Sequence, residues 1–371
     1  MMRRAGWSKA FRSFVACVFN SRIIRVNRLS CETAMPLKTY LVTGGTGFIG
    51  SALVRRLVQE GHHVRVLDDN SRGAARKLGD AAGAVELLSG DVRDSRSVKD
   101  AIRGADCVCH LAYVNGTEYF YSKPELVLDI AVKGMINVLD ACVEHGVHEL
   151  VLASSSEVYQ TPPTIPTPEN VPLCVPDVLN PRYSYGGGKL ISEVMVVNYG
   201  RKFFKRAVIF RPHNAYGPDM GQEHVIPQFI MRMAALIEES RGRSDVIDFP
   251  IQGMGSETRA FVYISDLIEG VMRVLEKGEH LGIYHIGTDV ETSIADLAVS
   301  VAHCFGRKIR VVPGDLRSGG PLRRCPDITR MRGLGYRPRV TLAEGLAATV
   351  DWYRRDLLDN RASVLENSAR K

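Results

Sequence analysis

From Lys38 onwards, short apolar runs alternate with longer segments in which apolar residues recur at helical spacing. The short runs are too brief and too continuously apolar for surface helices, so they predict buried strands. The predicted strands lie within residues 39–45, 62–69, 84–91, 106–113, 148–156 and 206–212. The predicted helices cover residues 48–60, 94–103, 124–145, 183–203, 225–239, 293–305 and 342–357.

This alternation predicts an α/β fold, in which a doubly wound parallel sheet carries helices on both faces. After Arg211 the rhythm changes, because segments bearing Pro and Gly separate the remaining helices. We therefore expect a smaller, interleaved C-terminal lobe that binds the substrate. The predicted division is a basic leader at 1–35, the sheet domain at 36–211 plus about 257–290, the lobe at 212–256 and 291–358, and a tail at 359–371.

The positive charge of the chain is concentrated at its start. The net charge is +7, and residues 1–34 alone carry seven basic side chains and one acid. The rest of the chain is therefore nearly neutral, at +1. A neutral body gives no reason to expect a nucleic-acid partner.

The apolar stretch of the leader, FVACVF, is far shorter than the roughly 20 residues that cross a bilayer, so we expect no membrane span. Its Arg-rich composition resembles an organelle transit peptide. We prefer a disordered extension, or an upstream start codon with the functional chain beginning at Met35. The eight cysteines include no CxxC pair, which indicates free thiols, a cytoplasmic protein and no metal site.

A glycine-rich segment, VTGGTGFIGSALVRRL, lies between the first predicted strand and the first helix. Gly44, Gly47 and Gly50 permit a tight turn and let the backbone approach a pyrophosphate at the helix N-terminus. Such spacing also fits an ordinary strand–helix turn. Here, however, Asp68 follows at the end of the second strand, eighteen residues beyond Gly50, which completes a dinucleotide-binding pattern.

Acidic residues at the next strand ends bear on the choice of cofactor. The Asp68 carboxylate would accept from a ribose 2′-hydroxyl and repel a 2′-phosphate, which favours NAD over NADP. Arg72 lies close enough in the sequence to weaken that preference. Asp91, after the third strand, either reaches the adenine amino group or caps the next helix, and both interpretations stay open.

The segment RYSYGGGKLISE places Tyr185 and Lys189 four residues apart at the start of a predicted helix, hence on one face. An ammonium beside a phenol favours the phenolate, so we expect Lys189 to lower the pKa of Tyr185. A lone pair of this spacing is more often an ordinary surface contact. Ser155 favours catalysis, because it ends the fifth strand at the sheet edge where ligands bind.

Between residues 38 and 357 the chain resembles the extended short-chain dehydrogenase/reductase family, in its nucleotide-sugar epimerase, dehydratase and decarboxylase branch. The matching motifs are TGGTGFIG, Asp68, GDVRD, HLA at 110–112, SSSEVY, Tyr185-x-x-x-Lys189, RPHNAYGP at 211–218, RAFVYISD at 259–266 and RCPDI at 324–328. The resemblance implies a Rossmann fold and an NAD-dependent enzyme that acts on a nucleotide-diphosphate sugar. A homodimer is also expected.

Roles for single residues follow from the resemblance. It implies Tyr185 as the base, Lys189 on the nicotinamide ribose, and Ser155 on the reacting hydroxyl. It implies cofactor contacts at Gly44, Gly47, Phe48, Ile49, Gly50, Asp68, Asp91, Val92, Leu111, Ala112 and Lys189. It implies substrate contacts at Ser156, Asn214, Arg259 and Arg324, and the last three would hold the diphosphate, which guanidinium groups match well.

The resemblance implies oxidation of the sugar C4 hydroxyl, after which the 4-ketone makes the C5 hydrogen acidic. A 4,6-dehydratase then needs a base at C5, a uronate decarboxylase loses carbon dioxide, and a 4-epimerase needs no further base. Glu157, two residues after Ser155 in an extended backbone, would point to the same side as Ser155. Glu157 therefore favours dehydration or decarboxylation, and 4-epimerisation is the alternative reaction. A purely structural alternative is that Glu157 caps the following turn.

Three departures from the family pattern leave the substrate open. Gln160 replaces the usual glycine, Ala131 stands where asparagine is common, and three glycines fill the interval between Tyr185 and Lys189. A reductase of small carbonyl compounds and a non-catalytic dinucleotide-binding protein are less favoured alternatives. The second would have no need of the tyrosine and the lysine.

Overall fold

The computed structural model describes residues 36–240, 246–315 and 320–369, so the predicted leader lies outside the described residues. The strands are β1 (Thr39–Thr43), β2 (His63–Asp68), β3 (Val85–Ser89), β4 (Cys107–His110), β5 (Glu149–Ala153), β6 (Arg206–Pro212), β7 (Ala215–Tyr216), β8 (Val246–Pro250), β9 (Thr258–Ala260), β10 (Val262–Tyr263), β11 (Ile283–Ile286), β12 (Glu291–Ser293), β13 (Lys308–Val312) and β14 (Arg323–Arg324). The α-helices are α1 (Phe48–Gln59), α2 (Ser95–Ile102), α3 (Thr117–Ser122), α4 (Pro124–Asp129), α5 (Met135–His145), α6 (Ser184–Phe203), α7 (Val225–Ser240), α8 (Ile264–Lys277), α9 (Ile294–Cys304), α10 (Thr329–Gly333) and α11 (Leu342–Ala369).

Seven strands form one sheet in the order β11-β6-β5-β4-β1-β2-β3. Every neighbouring pair is parallel. All the strands that the apolar runs predict are present, and β11, which was not predicted, is added beside β6. Strand β4 is buried along its whole length, as expected when helices cover both faces. The doubly wound parallel sheet is therefore confirmed.

The helix expected over residues 124–145 is divided into three parts. A π-helical turn, Ile130–Gly134, separates α4 from α5. Gly134 lies against another segment here, since a Cβ at this position would come within 2.9 Å of a Val92 methyl. Helix α5 then ends at Gly146, whose φ of 67° is the left-handed conformation that favours glycine.

Apolar side chains form two buried clusters within residues 37–371, which make one compact unit. The first cluster includes Leu41 of the sheet, Val138 of α5 and Ile209 of β6. The second includes Phe229 of α7 and Leu297 of α9, in segments that the sequence assigns to the smaller lobe. We propose that the second cluster is the core of that lobe.

Within the described ranges, no helix combines the length and the apolarity that crossing a membrane would need. The six cysteines in this part of the chain are all free. No group of His, Cys, Asp and Glu side chains among these residues is placed to hold a metal ion.

Candidate active site

A cleft of about 350 Å³ opens along the carboxyl ends of β1, β2, β4, β5 and β6. Ligands of open α/β sheets bind at this edge, and the volume suits a small organic ligand. Of the residues predicted from the sequence, the cleft is lined by Gly44, Gly47, Phe48, Ile49, Gly50, Asp68, Asp91, Val92, Leu111, Ala112, Ser155, Ser156, Glu157, Tyr185, Lys189, Asn214 and Arg324. Arg259 does not line it.

The loop between β1 and α1 requires glycine at two positions. Gly44 has a φ of +71°, and a Cβ there would lie 2.6 Å from the backbone nitrogen of Ala112. A Cβ on Gly50 would overlap the carbonyl oxygen of Gly44. Helix α1 begins without a side-chain cap, so its first N–H groups are available to a ligand. This cradle fits the pyrophosphate of a dinucleotide.

Backbone donors hold the Asp68 carboxylate in the cleft wall. The N–H of Thr46 donates to Oδ2 and the N–H of Asn70 donates to Oδ1, each over 2.9 Å. Each carboxylate oxygen can accept a further hydrogen bond. The residues present therefore fit the adenine ribose of NAD.

Asp91 lines the cleft but does not cap the next helix. The cap of α2 is Asp94, which accepts from the N–H groups of Arg96 and Ser97. Asp91 instead pairs with Arg93 over 2.6 Å, and this hydrogen bonding lowers the pKa of Asp91. The capping alternative for Asp91 is wrong, and its contact with the cofactor stays a prediction.

Tyr185 is buried near the start of α6, with its side chain in the cleft wall. Its ring stacks on Phe120, with the ring centroids 4.8 Å apart. The side chain of Ser155 acts on the Tyr185 hydroxyl and lowers the pKa of Tyr185, against the larger effect of burial. The structure thus brings together the tyrosine and the serine that the sequence placed in one site.

Lys189 does not lower the pKa of Tyr185 in this structure, which corrects the expectation from their spacing. Its Nζ donates to the carbonyl of Ala153 over 2.7 Å and lies 3.7 Å from the centroid of the Tyr113 ring. Burial raises the pKa of Tyr185 to about 12, against the opposing effect of Ser155. Burial also lowers the pKa of Lys189 to about 7, so the lysine titrates more readily near neutral pH.

The backbone after Ser155 is not extended, contrary to the prediction. Residues Ser156–Tyr159 form a 3₁₀ turn, and Ser155 caps it by accepting at Oγ from the N–H of Glu157 over 3.1 Å. Short polar side chains compete with strand pairing in this way. Ser155 and Glu157 still line the same cleft, but the turn brings them there rather than the alternation of a strand.

The Glu157 carboxylate pairs with Arg324, with Nη1 and Oε1 2.6 Å apart, and lies 3.8 Å from Nη2 of Arg182. Burial acts to raise the pKa of Glu157, but the nearby arginines outweigh it and hold that pKa below its usual range. Arg324 is only 6% exposed. Its Nε and Nη2 have no hydrogen-bond partner within the described part of the chain.

Arg259 is engaged by the backbone. Its guanidinium donates to the carbonyls of Thr258, Pro321 and Leu322. Asn214, by contrast, lies in the cleft wall with a φ of +40°. The contact of Arg259 with a diphosphate stays a prediction.

The three departures from the family pattern are packed against one another. Gln160 has a φ of +53°, and its side-chain amide fills the space beside Gly186, where any Cβ would overlap it. A Cβ on Gly188 would overlap the Tyr113 hydroxyl and lie 2.7 Å from Cβ of Ala131. Gly186 and Gly188 are therefore required by the side chains that face them.

Two aromatic residues that line the cleft were not predicted from the sequence. Tyr113 and Phe120 both line it and flank the Tyr185 ring, with centroid distances of 5.0 and 4.8 Å. Tyr113 directly follows the HLA motif, which was an available signal. The position of Phe120 depends on the packing of α3 and had no such signal.

Ion pairs join the segment after β2 to the segment after β7 across the cleft wall. Arg72 pairs with Glu223 over 3.2 Å, and Arg76 pairs with Asp219 over 2.6 Å. Lys77 donates to the Asp219 carbonyl over 2.8 Å. Because Arg72 and Lys77 themselves line the cleft, this bridge forms part of its wall.

Known proteins match the chain over most of its length. A model of the NAD-dependent epimerase/dehydratase family matches residues 40–287. A dTDP-glucose 4,6-dehydratase of Streptomyces antibioticus is 32% identical over 333 residues, covering 87% of this chain and 93% of its own length. A UDP-glucose 4-epimerase of Mycolicibacterium smegmatis is 32% identical over 322 residues, covering 85% of this chain and 98% of its own length. UDP-glucuronic acid decarboxylase 5 of Arabidopsis thaliana is 30% identical over 334 residues, covering 88% of this chain and 92% of its own length.

Solved structures share the fold. DesIV, a dTDP-glucose 4,6-dehydratase from Streptomyces venezuelae with NAD and TYD bound, is 31% identical and has a TM-score of 0.74, covering 85% of this chain and 97% of its own. The family model and the DesIV complex both name NAD, while the names of the relatives describe different reactions.

Proposed function

Because the chain belongs to the NAD-dependent epimerase/dehydratase family, we propose that it oxidises a nucleotide-diphosphate sugar at C4 and then eliminates water or carbon dioxide from the 4-keto sugar. The family membership confirms the resemblance of the sequence, and NAD is the cofactor. The observation that carries the proposal is the convergence of Ser155, Glu157, Tyr185 and Arg324 in the cleft that also holds the glycine loop.

Oxidation needs a proton acceptor at the C4 hydroxyl. Tyr185 takes this role, and Ser155, which lines the same cleft, orients the sugar hydroxyl toward it. The C4 hydride passes to NAD, which is the chemistry that the cofactor supplies. Lys189, in the same wall, would hold the nicotinamide ribose.

Glu157 supports elimination over simple epimerisation. Its paired arginines keep it ionised, which is the form that accepts the C5 proton made acidic by the 4-ketone. Ser156, also in the cleft wall, can donate to the departing C6 hydroxyl. In a uronate substrate C6 leaves instead as carbon dioxide. A 4-epimerase would make no use of the Glu157 carboxylate, which is why epimerisation is the second candidate.

Product mass tests the proposal directly. We would incubate the purified protein with UDP-, GDP-, dTDP- and CDP-sugars and uronates. Loss of water or of carbon dioxide from one of them is expected. An unchanged mass with altered stereochemistry would show a 4-epimerase. Release of reduced or oxidised cofactor at every turnover, with a small carbonyl compound as substrate, would contradict the proposal.

Two variants separate the oxidation at C4 from the elimination that follows it. Tyr185→Phe should abolish oxidation at C4 while bound NAD is retained, whereas Tyr183→Phe, two residues earlier and outside the cleft lining, should keep activity. Glu157→Gln should accumulate NADH, because the sugar is oxidised but not carried forward. Full activity of Tyr185→Phe would overturn the mechanism.

We further propose a cytoplasmic homodimer. Exposed apolar side chains on the adjacent helices α4, α5 and α6 support a self-association surface. They are Leu128, Ile136, Ile191 and Val194. The free cysteines of the described residues support a reducing compartment.

A further inference from the structure

The guanidinium of Arg324 has one engaged end and one free edge. Nη1 donates to Oε1 of Glu157 over 2.6 Å. Nε and Nη2 are buried and have no partner among the residues that the structure describes. These two nitrogens form the side-on edge of the planar fork, which matches two oxygens of one phosphate or carboxylate.

The surroundings of this edge favour an anion. Arg324 lines the cleft, and Arg182 and Arg259 lie close enough to lower the pKa of Glu157. Three guanidinium groups therefore lie near the Glu157 carboxylate, and Arg259 also lies near the carboxylate of Glu257. Nearby His213 is fully buried, and burial lowers its pKa well below the usual range, so it adds no charge of its own.

Glu157 and a bound anion would compete for the same cation. The carboxylate that the reaction needs as a base is the group that now holds Arg324. A paired carboxylate is a weak proton acceptor, because the partner charge stabilises its ionised form. Something must weaken this pairing before Glu157 can take a proton from carbon.

We propose that Arg324 couples substrate binding to Glu157: an oxygen of the nucleotide-sugar diphosphate takes the free edge of the guanidinium, weakens its hold on the carboxylate, and so releases Glu157 to act as the base. The inference rests on the proposed function and adds an order of events to it. Once released, Glu157 accepts the C5 proton, and the electron pair of the C5–H bond enters the enolate of the 4-ketone.

Binding measurements test the coupling without turnover. A nucleotide sugar that the wild type binds would be titrated calorimetrically into the wild type, Glu157→Gln, Arg324→Lys and the double variant. Removing the competing carboxylate should tighten binding about tenfold in the wild-type background. The same substitution should change binding by less than about twofold when residue 324 is lysine, which lacks the fork.

Glu291 provides a matched control. Its carboxylate pairs with Arg323, the neighbour of Arg324 in β14, over 2.6 Å. Glu291→Gln therefore removes the same charge from beside the same strand, β14, without touching Arg324, and binding should not change. Equal tightening by Glu291→Gln, or by Glu157→Gln in the Arg324→Lys background, would show a general field effect and overturn the coupling.

The wild type offers a second measurement in case Glu157→Gln does not fold. Release of Glu157 raises its proton affinity, so binding of an intact nucleotide sugar in mildly acidic buffer should take up protons. The uptake is obtained from the dependence of the binding enthalpy on the ionisation enthalpy of the buffer. No uptake, or unchanged binding by a folded Glu157→Gln, would overturn the inference alone. Failure of the wild type to bind any nucleotide sugar would overturn the proposed function as well.

Discussion

Gln160 carries backbone strain in the turn that presents Glu157. Its φ of 53° and ψ of −97° are free for glycine and cost other residues about 1–3 kcal/mol. Its Nε2 donates to the Glu157 carbonyl over 2.6 Å and closes the turn. We expect Gln160→Ala to be less stable than Gln160→Gly by about 1–2 kcal/mol, because both delete the amide and only alanine keeps a Cβ. Chemical denaturation would measure the difference.

Gln228 serves as the control for this comparison. It is exposed within α7, where the helix favours alanine over glycine. Gln228→Ala should therefore be more stable than Gln228→Gly by about 1 kcal/mol. If alanine were also the more stable substitution at position 160, the backbone there would not be strained.

Lys189 makes stability depend on pH. Burial lowers its pKa in the folded chain to about 7, from an ordinary 10.5, so between these values the unfolded chain binds more protons. The free energy of unfolding should therefore rise with pH across this window, by at most about 1.4 kcal/mol per pH unit. Below it, the cost of the charged buried lysine is fully present. Urea titrations of the wild type and Lys189→Met at several pH values would measure the contribution, and parallel pH profiles would refute it.

The start of helix α6 shows how one element is fitted to its neighbours. A Cβ on Gly188 would overlap the Tyr113 hydroxyl and crowd Ala131, whereas a Cβ on Gly187 would lie 3.3 Å from a methyl of Val175. Gly188→Ala should destabilise by about 1–3 kcal/mol, because α6 must move away from the π-helical turn. Gly187→Ala should be neutral or gain up to about 1 kcal/mol, because alanine favours the helix. Thermal melts would compare the stability of the two variants. Equal effects of Gly188→Ala and Gly187→Ala would mean that α6 shifts freely.

Local pattern predicted some elements better than others. Helices α1, α2 and α6 begin and end within one residue of the prediction, because their apolar spacing is strong. The π-helical turn Ile130–Gly134 was missed, since its neighbour Val92 belongs to a distant segment. The turn after Ser155 was missed because a hydroxyl there competes with strand pairing, which apolar spacing does not reveal.

Across the whole molecule, the parallel sheet explains why the candidate site could be predicted. Strand ends that are far apart in sequence meet at one edge, so the glycine loop, Asp68 and Ser155 line one cleft, to which helix α6 adds Tyr185. The ion pair between Arg324 and Glu157 could not be predicted, because its partners come from distant segments. The raised pKa of Tyr185 could not be predicted either, because it is caused by burial in the folded chain.

The expected homodimer can be tested by mass. Ile191, 37% exposed on α6, belongs to the proposed self-association surface. A glutamate there would place an unpaired charge in an apolar interface, so Ile191→Glu should have the mass of one chain by light scattering. Val299, 50% exposed on α9, is the control, and Val299→Glu should remain a dimer. If both variants remained dimers, the proposed self-association surface would be wrong. If the wild type were a monomer, the expected homodimer would be wrong.

The ion-paired bridge of Arg72, Arg76, Glu223 and Asp219 has a consequence for the cell. Because the bridge forms part of the cleft wall, we expect it to slow the exit of a bound dinucleotide, and exchange should accelerate in high salt. Each reaction cycle would then regenerate its own oxidant. Turnover should accordingly be indifferent to the NADH/NAD ratio of the medium, and inhibition by added NADH within a few turnovers would refute this. Such an enzyme would keep supplying modified sugars while the metabolic redox state of its host fluctuates.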